Sequence, residues 1–207
     1  MIIMGLDTLI LYILTGMAMS YTPGPAVLLA MSHGSHHGLR GAAVGGAGIE
    51  FGNLIWFLFS AAGLTAVLIA STTLFSIIKA FGAAYLVYLG LRLLLSRRTP
   101  AIAATPVPHG KLFAQGFLTQ IGNPKAVIFF GSLLPQFFDP AQPHWQQFLM
   151  LGAITFPIDY SSLLFYGWLA HRGSKLSRGP KLLHWFDRVA GAFLITAGAK
   201  LAFVART

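Results

Sequence analysis

The sequence predicts an all-α polytopic membrane protein with six transmembrane helices, arranged as two inverted three-helix repeats. The prediction rests on the composition, on six long apolar runs, and on an internal repeat in which each copy has one run broken by proline. Of the 207 residues, 56% are hydrophobic and 9% are charged, and the mean hydropathy is +0.71. Soluble domains carry about 25% charged residues, so this chain lacks the polar surface that water requires.

The charge and the sequence motifs exclude several classes of function. Lysine and arginine number 14 against 5 acidic residues, and they lie mainly between the apolar runs, as loops facing an anionic leaflet do. Because cysteine is absent, disulfides and thiolate metal sites are excluded. No nucleic-acid module, P-loop or catalytic motif is found, and we expect no enzyme, cofactor, metal or nucleic-acid partner. The first basic residue is Arg40, so we expect no cleaved signal peptide.

Each apolar run is long enough for a bilayer core, which a helix of about 20 residues crosses. The runs form one transporter domain over 1–207, with repeat 1 at about 6–95 and repeat 2 at about 112–204. Between them, the proline-rich stretch 96–111 with its basic ends predicts a surface loop. In chain order, the six runs are about 6–32, 40–70, 74–95, 112–138, 146–170 and 185–204.

The distribution of lysine and arginine predicts the orientation. The third link carries Arg97, Arg98 and Lys111, and the fifth carries Arg172, Lys175, Arg178 and Lys181. The first link has Arg40, the second has no charge, and the fourth has Asp139 and no Lys or Arg. Odd-numbered links are therefore expected in the cytoplasm and both termini in the periplasm. A five-span alternative stays open, because broken runs 1 and 4 could turn back within the membrane.

The two halves of the chain align with each other. The stretch KAFGAAYLVYLGLRLLL (79–95) resembles RVAGAFLITAGAKLAF (188–203), IEFGNLIWF (49–57) resembles IDYSSLLFY (158–166), and PGPAVLLA (23–30) aligns with NPKAVIFF (123–130). Because each half has three spans, an odd number, the second half must lie inverted in the membrane. Secondary transporters use this architecture and bind substrate near the midplane, at paired interrupted helices.

The two interruptions, Pro23-Gly24-Pro25 and Asn123-Pro124-Lys125, predict a substrate site. A proline has no N–H, so the carbonyl four residues earlier loses its partner. Such carbonyls suit an ammonium group, and the start of each new half-helix favours a carboxylate. An amino acid carries both groups, although prolines that only kink packed helices remain the alternative. The predicted substrate-binding residues are Pro23, Gly24, Pro25, Gln120, Asn123, Pro124, Lys125, Thr155 and Ser162.

Three ionisable residues, Glu50, Lys125 and Asp159, fall well inside the runs. Each costs about 2.5–3.5 kcal/mol at a helix centre, so a function is the default hypothesis. Asp159 and its repeat mate Glu50 are the candidates for proton coupling, and Asp159 lies on a polar stripe with Thr155, Ser162 and Tyr166. For Lys125 two interpretations stay open: a static ion pair with a carboxylate, or a cation that alternates with protons and substrate.

Two further patterns predict packing. The second run has glycines at 41, 45, 48 and 52, a stripe that lets helix backbones approach closely, with Glu50 on the opposite face. The cluster SHGSHHG (32–38) contains His33, His36 and His37. His33 and His37 have the i, i+4 spacing of a helical metal-binding pair, but metal sites usually need a third ligand and no carboxylate lies nearby in sequence. We therefore expect an interfacial loop rather than a metal site.

These motifs together resemble the LysE/RhtB family of bacterial amino-acid exporters. The similarity rests on TPGPAVLL, NPKAVIFFGSLLPQFFDP, FGAAYLVYLGLRLL, the ID of the fifth run and the final WFDRVAGAFLITAGAKLAF, and it covers essentially the whole chain. The resemblance implies an inner-membrane exporter of an amino acid or close derivative, driven by protons, in lipid and as a homodimer. Glu50 departs from the family pattern. The residues that carry over are Pro23, Gly24, Pro25, Asn123, Pro124, Lys125 and Asp159.

Two other functions remain as alternatives. A cation or metal exporter has the histidine cluster as its only support. An uncoupled channel or scaffold would need neither the buried carboxylates nor the lysine.

Overall fold

The computed structural model describes residues 4–63, 72–95, 107–139, 142–176, 188–189, 191–196 and 199, and within these residues the chain is helical without strands. A π-helical turn, Phe129–Leu133, and a 3₁₀ turn, Leu134–Phe137, follow the fifth helix. The helices are α1 Leu6–Tyr21, α2 Pro25–Ala61, α3 Thr72–Leu94, α4 His109–Ile121, α5 Pro124–Ile128 and α6 His144–Leu176.

The predicted runs 1 and 4 are both broken where their prolines fall. The first break separates α1 from α2, and the second separates α4 from α5, with a proline at the first turn of each new helix. The chain keeps its direction across the first break. Tyr12 on α1 contacts Thr155, and Gly38 beyond the break contacts His171, so both contacts advance along α6 in the same sense.

Helix α2 is a hairpin of two arms, 25–37 and 39–61. Gly38 between them has φ 71° and ψ −174°, in a region that favours glycine. In a straight helix, residues 33 and 45 would be about 18 Å apart, yet a Cβ on Gly45 would clash with the ring of His33. The expectation of a loop at the histidine cluster is therefore wrong, because the helix continues to Gly38 and reverses there.

The glycine stripe of the second α2 arm allows close approach, as the spacing predicts, but to two neighbours: Cβ atoms on Gly41 and Gly45 would meet the first α2 arm, and those on Gly48 and Gly52 would meet α4. A Cβ on Gly116 would clash with the carbonyl oxygen of Gly45, and one on Gly48 would clash with that of Phe113. The opposite side of this arm faces α6, where Asn53 contacts Asp159. The arm that carries Glu50 is thus held between two helices.

Two helices in the described part are long and apolar enough to cross a membrane, Pro25–Ala61 and His144–Ser174. Because the first of these reverses at Gly38, its arms belong to the first and second predicted runs. Helix α3 matches the third run, and α6 matches the fifth. Much of the sixth run, the chain ends and the stretches 64–71 and 96–106 lie outside the described residues.

Candidate functional site

The first break leaves backbone carbonyls that accept hydrogen bonds from another part of the chain. Thr22 closes α1 with a backbone N–H bond to Ala18, and Gly24 is extended, with φ −156° and ψ −174°. Because Pro23 has no N–H, the carbonyl of Met19 has no helical partner. The break thus presents the carbonyls of Met19 and Thr22 to the second half of the molecule.

Lys125, at the start of α5, donates hydrogen bonds to these carbonyls. Its Nζ donates hydrogen bonds to the carbonyl oxygens of Met19 and Thr22, the latter at 2.8 Å. The side chain also passes close to Gly24, where a Cβ would come within 3.8 Å of Nζ. In the part of the chain that the structure describes, Lys125 forms no ion pair with Glu50 or Asp159. The static ion pair is therefore not present in this conformation.

Two aromatic side chains donate to further carbonyls at the breaks. The carbonyl of Tyr21 loses its helical partner to Pro25, whereas that of Gln120 also accepts the backbone N–H of Asn123 at 3.1 Å. The hydroxyl of Tyr166 on α6 donates to the carbonyl of Tyr21 at 2.8 Å, and Nε1 of Trp56 on α2 donates to the carbonyl of Gln120 at 3.3 Å. Unpaired carbonyls are costly at membrane depth, so these donors stabilise both breaks. In this conformation the carbonyls at the breaks have protein donors, and their binding of a substrate ammonium stays a prediction.

The second break is capped by Asn123, which is 1% exposed. Its Oδ1 accepts the backbone N–H of Lys125 at 3.1 Å, an N-cap bond that fixes the start of α5. Its Nδ2 donates to Oε1 of Gln120 at 2.9 Å. The break that supplies the ammonium group is therefore held rigidly by two neighbouring amides.

A chain of side-chain amides joins this cap to the two carboxyl groups. Nε2 of Gln120 donates to Oδ1 of Asn53, whose Nδ2 donates to Oδ2 of Asp159 at 2.9 Å and to Oε2 of Glu50 at 3.4 Å. The other Glu50 oxygen, Oε1, is buried and has no partner. Two carboxyl groups that share one amide donor repel each other strongly when both are ionised in a low-dielectric interior.

A cavity of about 30 Å³ lies between the two breaks and α6. A water molecule needs roughly 10–15 Å³ by this measure, so the cavity has room for one or two waters and is too small for an amino acid. The cavity must therefore enlarge before it can hold an amino acid. The polar side chains that line the cavity are Ser20, Asn53, Gln120, Lys125, Thr155 and Asp159.

The structure brings most of the predicted site residues together, but not all. Glu50 does not line the cavity itself, but it contacts Asn53 and Asp159, which do. Ser162 is fully buried and donates to the carbonyl of Asp159 in its own helix, away from the cavity. Pro23 is exposed. The predicted residues that line or adjoin the cavity are Gly24, Gln120, Asn123, Lys125, Thr155 and Asp159.

Four groups at the cavity and the breaks were not among the predicted site residues: Asn53, Tyr12, Trp56 and the backbone carbonyl of Met19. Tyr12 is 1% exposed, and its hydroxyl pairs with that of Thr155. Asn53 carried a usable signal, since it follows Glu50 by three residues on the same helical face. Tyr12 and Trp56 carried none, because aromatic side chains are common throughout membrane helices.

In the described part of the chain, no group of three or more His, Asp and Glu side chains is placed to hold a metal ion. The arrangement is instead one ammonium and two carboxyl groups linked by amides. Such a set can bind a zwitterion and can exchange a proton.

Comparison with known proteins gives a family match over most of the chain. A family model described as LysE type translocator matches residues 17–204. The homoserine/homoserine lactone efflux protein of Salmonella typhi is 34% identical over 195 residues, which cover 92% of this chain and 94% of that protein.

Two further relatives extend the comparison. An uncharacterized membrane protein of Vibrio cholerae is 30% identical over 203 residues, 96% of this chain and 98% of that one. The leucine efflux protein of Salmonella choleraesuis is 29% identical over 150 residues, 71% of each chain. No solved structure matches the chain.

Proposed function

The chain belongs to the LysE type translocator family, and from this premise we propose that it exports an amino acid or a close derivative across the bacterial inner membrane. Two similar proteins are named for the efflux of homoserine, homoserine lactone and leucine. Translocators move their substrates without changing them covalently, so we assign no enzymatic reaction to this chain.

The observation that carries the proposal is the position of Lys125. Its ammonium donates hydrogen bonds to the carbonyls of Met19 and Thr22, and Asp159 lines the same cavity. We infer that the carboxylate of the substrate draws Lys125 away from these carbonyls, while its ammonium binds beside Asp159. The cavity must widen for this exchange, and that widening links substrate binding to a conformational change.

Proton coupling is proposed for Asp159 and Glu50. The two carboxyl groups share the amide of Asn53, so a proton on one of them relieves their mutual repulsion. A substrate ammonium that arrives beside Asp159 relieves the same repulsion and makes the proton dispensable. Substrate and proton thus compete for one site, which is the requirement of an antiporter with alternating access.

A pair of reciprocal contacts supports the six-span arrangement with two inverted repeats. Trp56 in the first half donates to a carbonyl at the break of the second half, and Tyr166 in the second half donates to a carbonyl at the break of the first. The two donors are nearly repeat mates, since the alignment of 49–57 with 158–166 pairs Tyr166 with Phe57, the residue next to Trp56. An approximate two-fold axis in the membrane plane would relate these contacts.

The proposal is tested by transport in proteoliposomes. The purified protein is reconstituted, a proton gradient is imposed, and uptake of labelled homoserine, leucine, threonine and lysine is followed with and without an uncoupler. We expect gradient-dependent movement of at least one of them, and counterflow of the same compound without a gradient. Movement of a divalent metal ion instead, or gradient-independent leakage of all solutes, would overturn the proposal in favour of a metal exporter or a channel.

A further inference from the structure

A second cavity, of about 150 Å³, lies outside the site described above. It is lined by the first arm of α2, the end of α3 and the start of α4, and the described linings of the two cavities share no residue. Its polar lining consists of Ser32, His33, His36, His37, Arg92 and Gln115. A cavity of this volume holds a molecule about as large as benzene, which is the size range of a small amino acid.

The charge of this cavity is positive. Among the lining residues that the structure describes, Arg92 carries the charge, and none is an aspartate or glutamate. The guanidinium group is a planar fork of N–H donors that matches a carboxylate in two parallel hydrogen bonds. The lining therefore suits an anion far better than a cation.

Gln115 supplies a second donor whose orientation is fixed. Nε2 of His33 lies 3.0 Å from Oε1 of Gln115, and because an amide oxygen only accepts, the histidine nitrogen carries the proton. The oxygen of Gln115 is thus taken, and its NH₂ group is the part available to a ligand. His33 is 3% exposed and its ring packs against Gly45, so this orientation is held by the α2 hairpin.

Helix α4 contributes to both cavities. Gln115 lines this cavity and Gln120 lines the break cavity; the two positions are about 7.5 Å apart along the helix axis and about 140° apart around it. The ends of α3 and α4 that line this cavity flank the link 96–111, which the distribution of lysine and arginine predicts to be cytoplasmic. It therefore lies on the side from which an exported solute arrives.

We propose that this cavity is an entry site for the carboxylate of the substrate, bound by Arg92 and Gln115 before the molecule moves along α4 to Lys125. The inference rests on the proposed function, since it takes an amino acid as the cargo. The same donors would also bind the phosphate of a lipid headgroup, and the test distinguishes these two sources.

The test uses the absence of cysteine from the chain. Val107→Cys places one thiol in the cavity wall, and its rate of maleimide labelling reports occupancy whether or not transport occurs. We expect homoserine to slow labelling, and homoserine lactone, which has no free carboxylate, to leave the rate unchanged. Adding Arg92→Gln should raise the protecting homoserine concentration about tenfold, the lower range for a hydrogen bond to a charged group. Arg188→Gln, an exposed arginine outside the cavity, should leave it unchanged.

Several outcomes decide the matter. Equal protection by homoserine and its lactone, or none by either, would overturn the entry site. Protection by phosphatidylglycerol in the liposomes, with no effect of homoserine, would assign the cavity to lipid phosphate and also overturn it. If homoserine protects the thiol through Arg92 while the wild-type protein moves no amino acid in the transport assay, the anion site stands and the proposed function fails.

Discussion

The two helix breaks differ in what they supply to the cavity between them. The first break, 23–25, contributes backbone carbonyls, while the second, 123–125, contributes an ammonium group and a chain of amides. Similar backbone interruptions in the two halves thus carry complementary chemistry, acceptors on one side and donors on the other. The difference teaches that a repeat can keep its geometry and still divide the binding groups unequally between its copies.

We expect the largest effect, on the yield of folded protein, at one of two glycines that precede the two breaks by the same number of residues. Gly116→Ala should leave little folded protein, because the new Cβ would clash with the backbone of Gly45. Gly16→Ala has nothing within 4 Å and should stabilise α1 slightly, as alanine does in helices. The measurement is the yield of monodisperse protein in detergent. Equal yields would show that the two halves are packed alike at this position.

The next effect concerns the ammonium group itself. Lys125→Met removes the donor from the carbonyls of Met19 and Thr22 and the proposed cation for the substrate carboxylate. We expect export to fall by roughly a hundredfold, because the substrate loses a hydrogen bond to a charged group. Lys111→Met, an exposed lysine at the start of α4, is the matched control and should retain export. Normal transport by the first variant would mean that the first break alone forms the site.

The two carboxyl groups give a third comparison between the halves. Asp159 lines the cavity, whereas Glu50 does not line it but contacts Asn53 and Asp159. Asp159→Asn should therefore abolish both proton-driven export and counterflow, because it removes the carboxylate for which proton and substrate compete, while Glu50→Gln should reduce proton-driven export only in part. Both rates are measured in the same proteoliposomes. The reverse ranking would move the proton-binding role to the first half.

The smallest effect concerns the caps of the freed carbonyls. Tyr166→Phe removes one hydroxyl that donates to Tyr21, which should lower the free energy of unfolding by about 1 kcal/mol. For a chain of this size that corresponds to a melting temperature about 2–4 °C lower. Tyr88→Phe, at a side chain that is 57% exposed, is the control and should melt like the wild type. An unchanged melting temperature for Tyr166→Phe would show that the first break does not need its cap.

Much of the architecture could be predicted because its causes are local. Proline lacks an N–H wherever it lies, so the breaks at Pro23 and Pro124 follow from the residues alone. The glycine stripe of the second α2 arm likewise follows from spacing on one helix. The histidine cluster was predicted wrongly as a loop, because nothing in sequence marks Gly38 rather than its glycine neighbours as the point where the helix reverses.

The sequence by itself determined that this is a helical membrane protein with two broken helices, because composition and backbone chemistry act within a few residues. Only the tertiary structure decided which groups meet at the breaks. Lys125 and Met19 lie 106 positions apart, and Tyr166 and Tyr21 lie 145 apart. A freed carbonyl accepts from whichever donor the packing brings near, so its partner depends on how distant helices pack rather than on its neighbours in the chain.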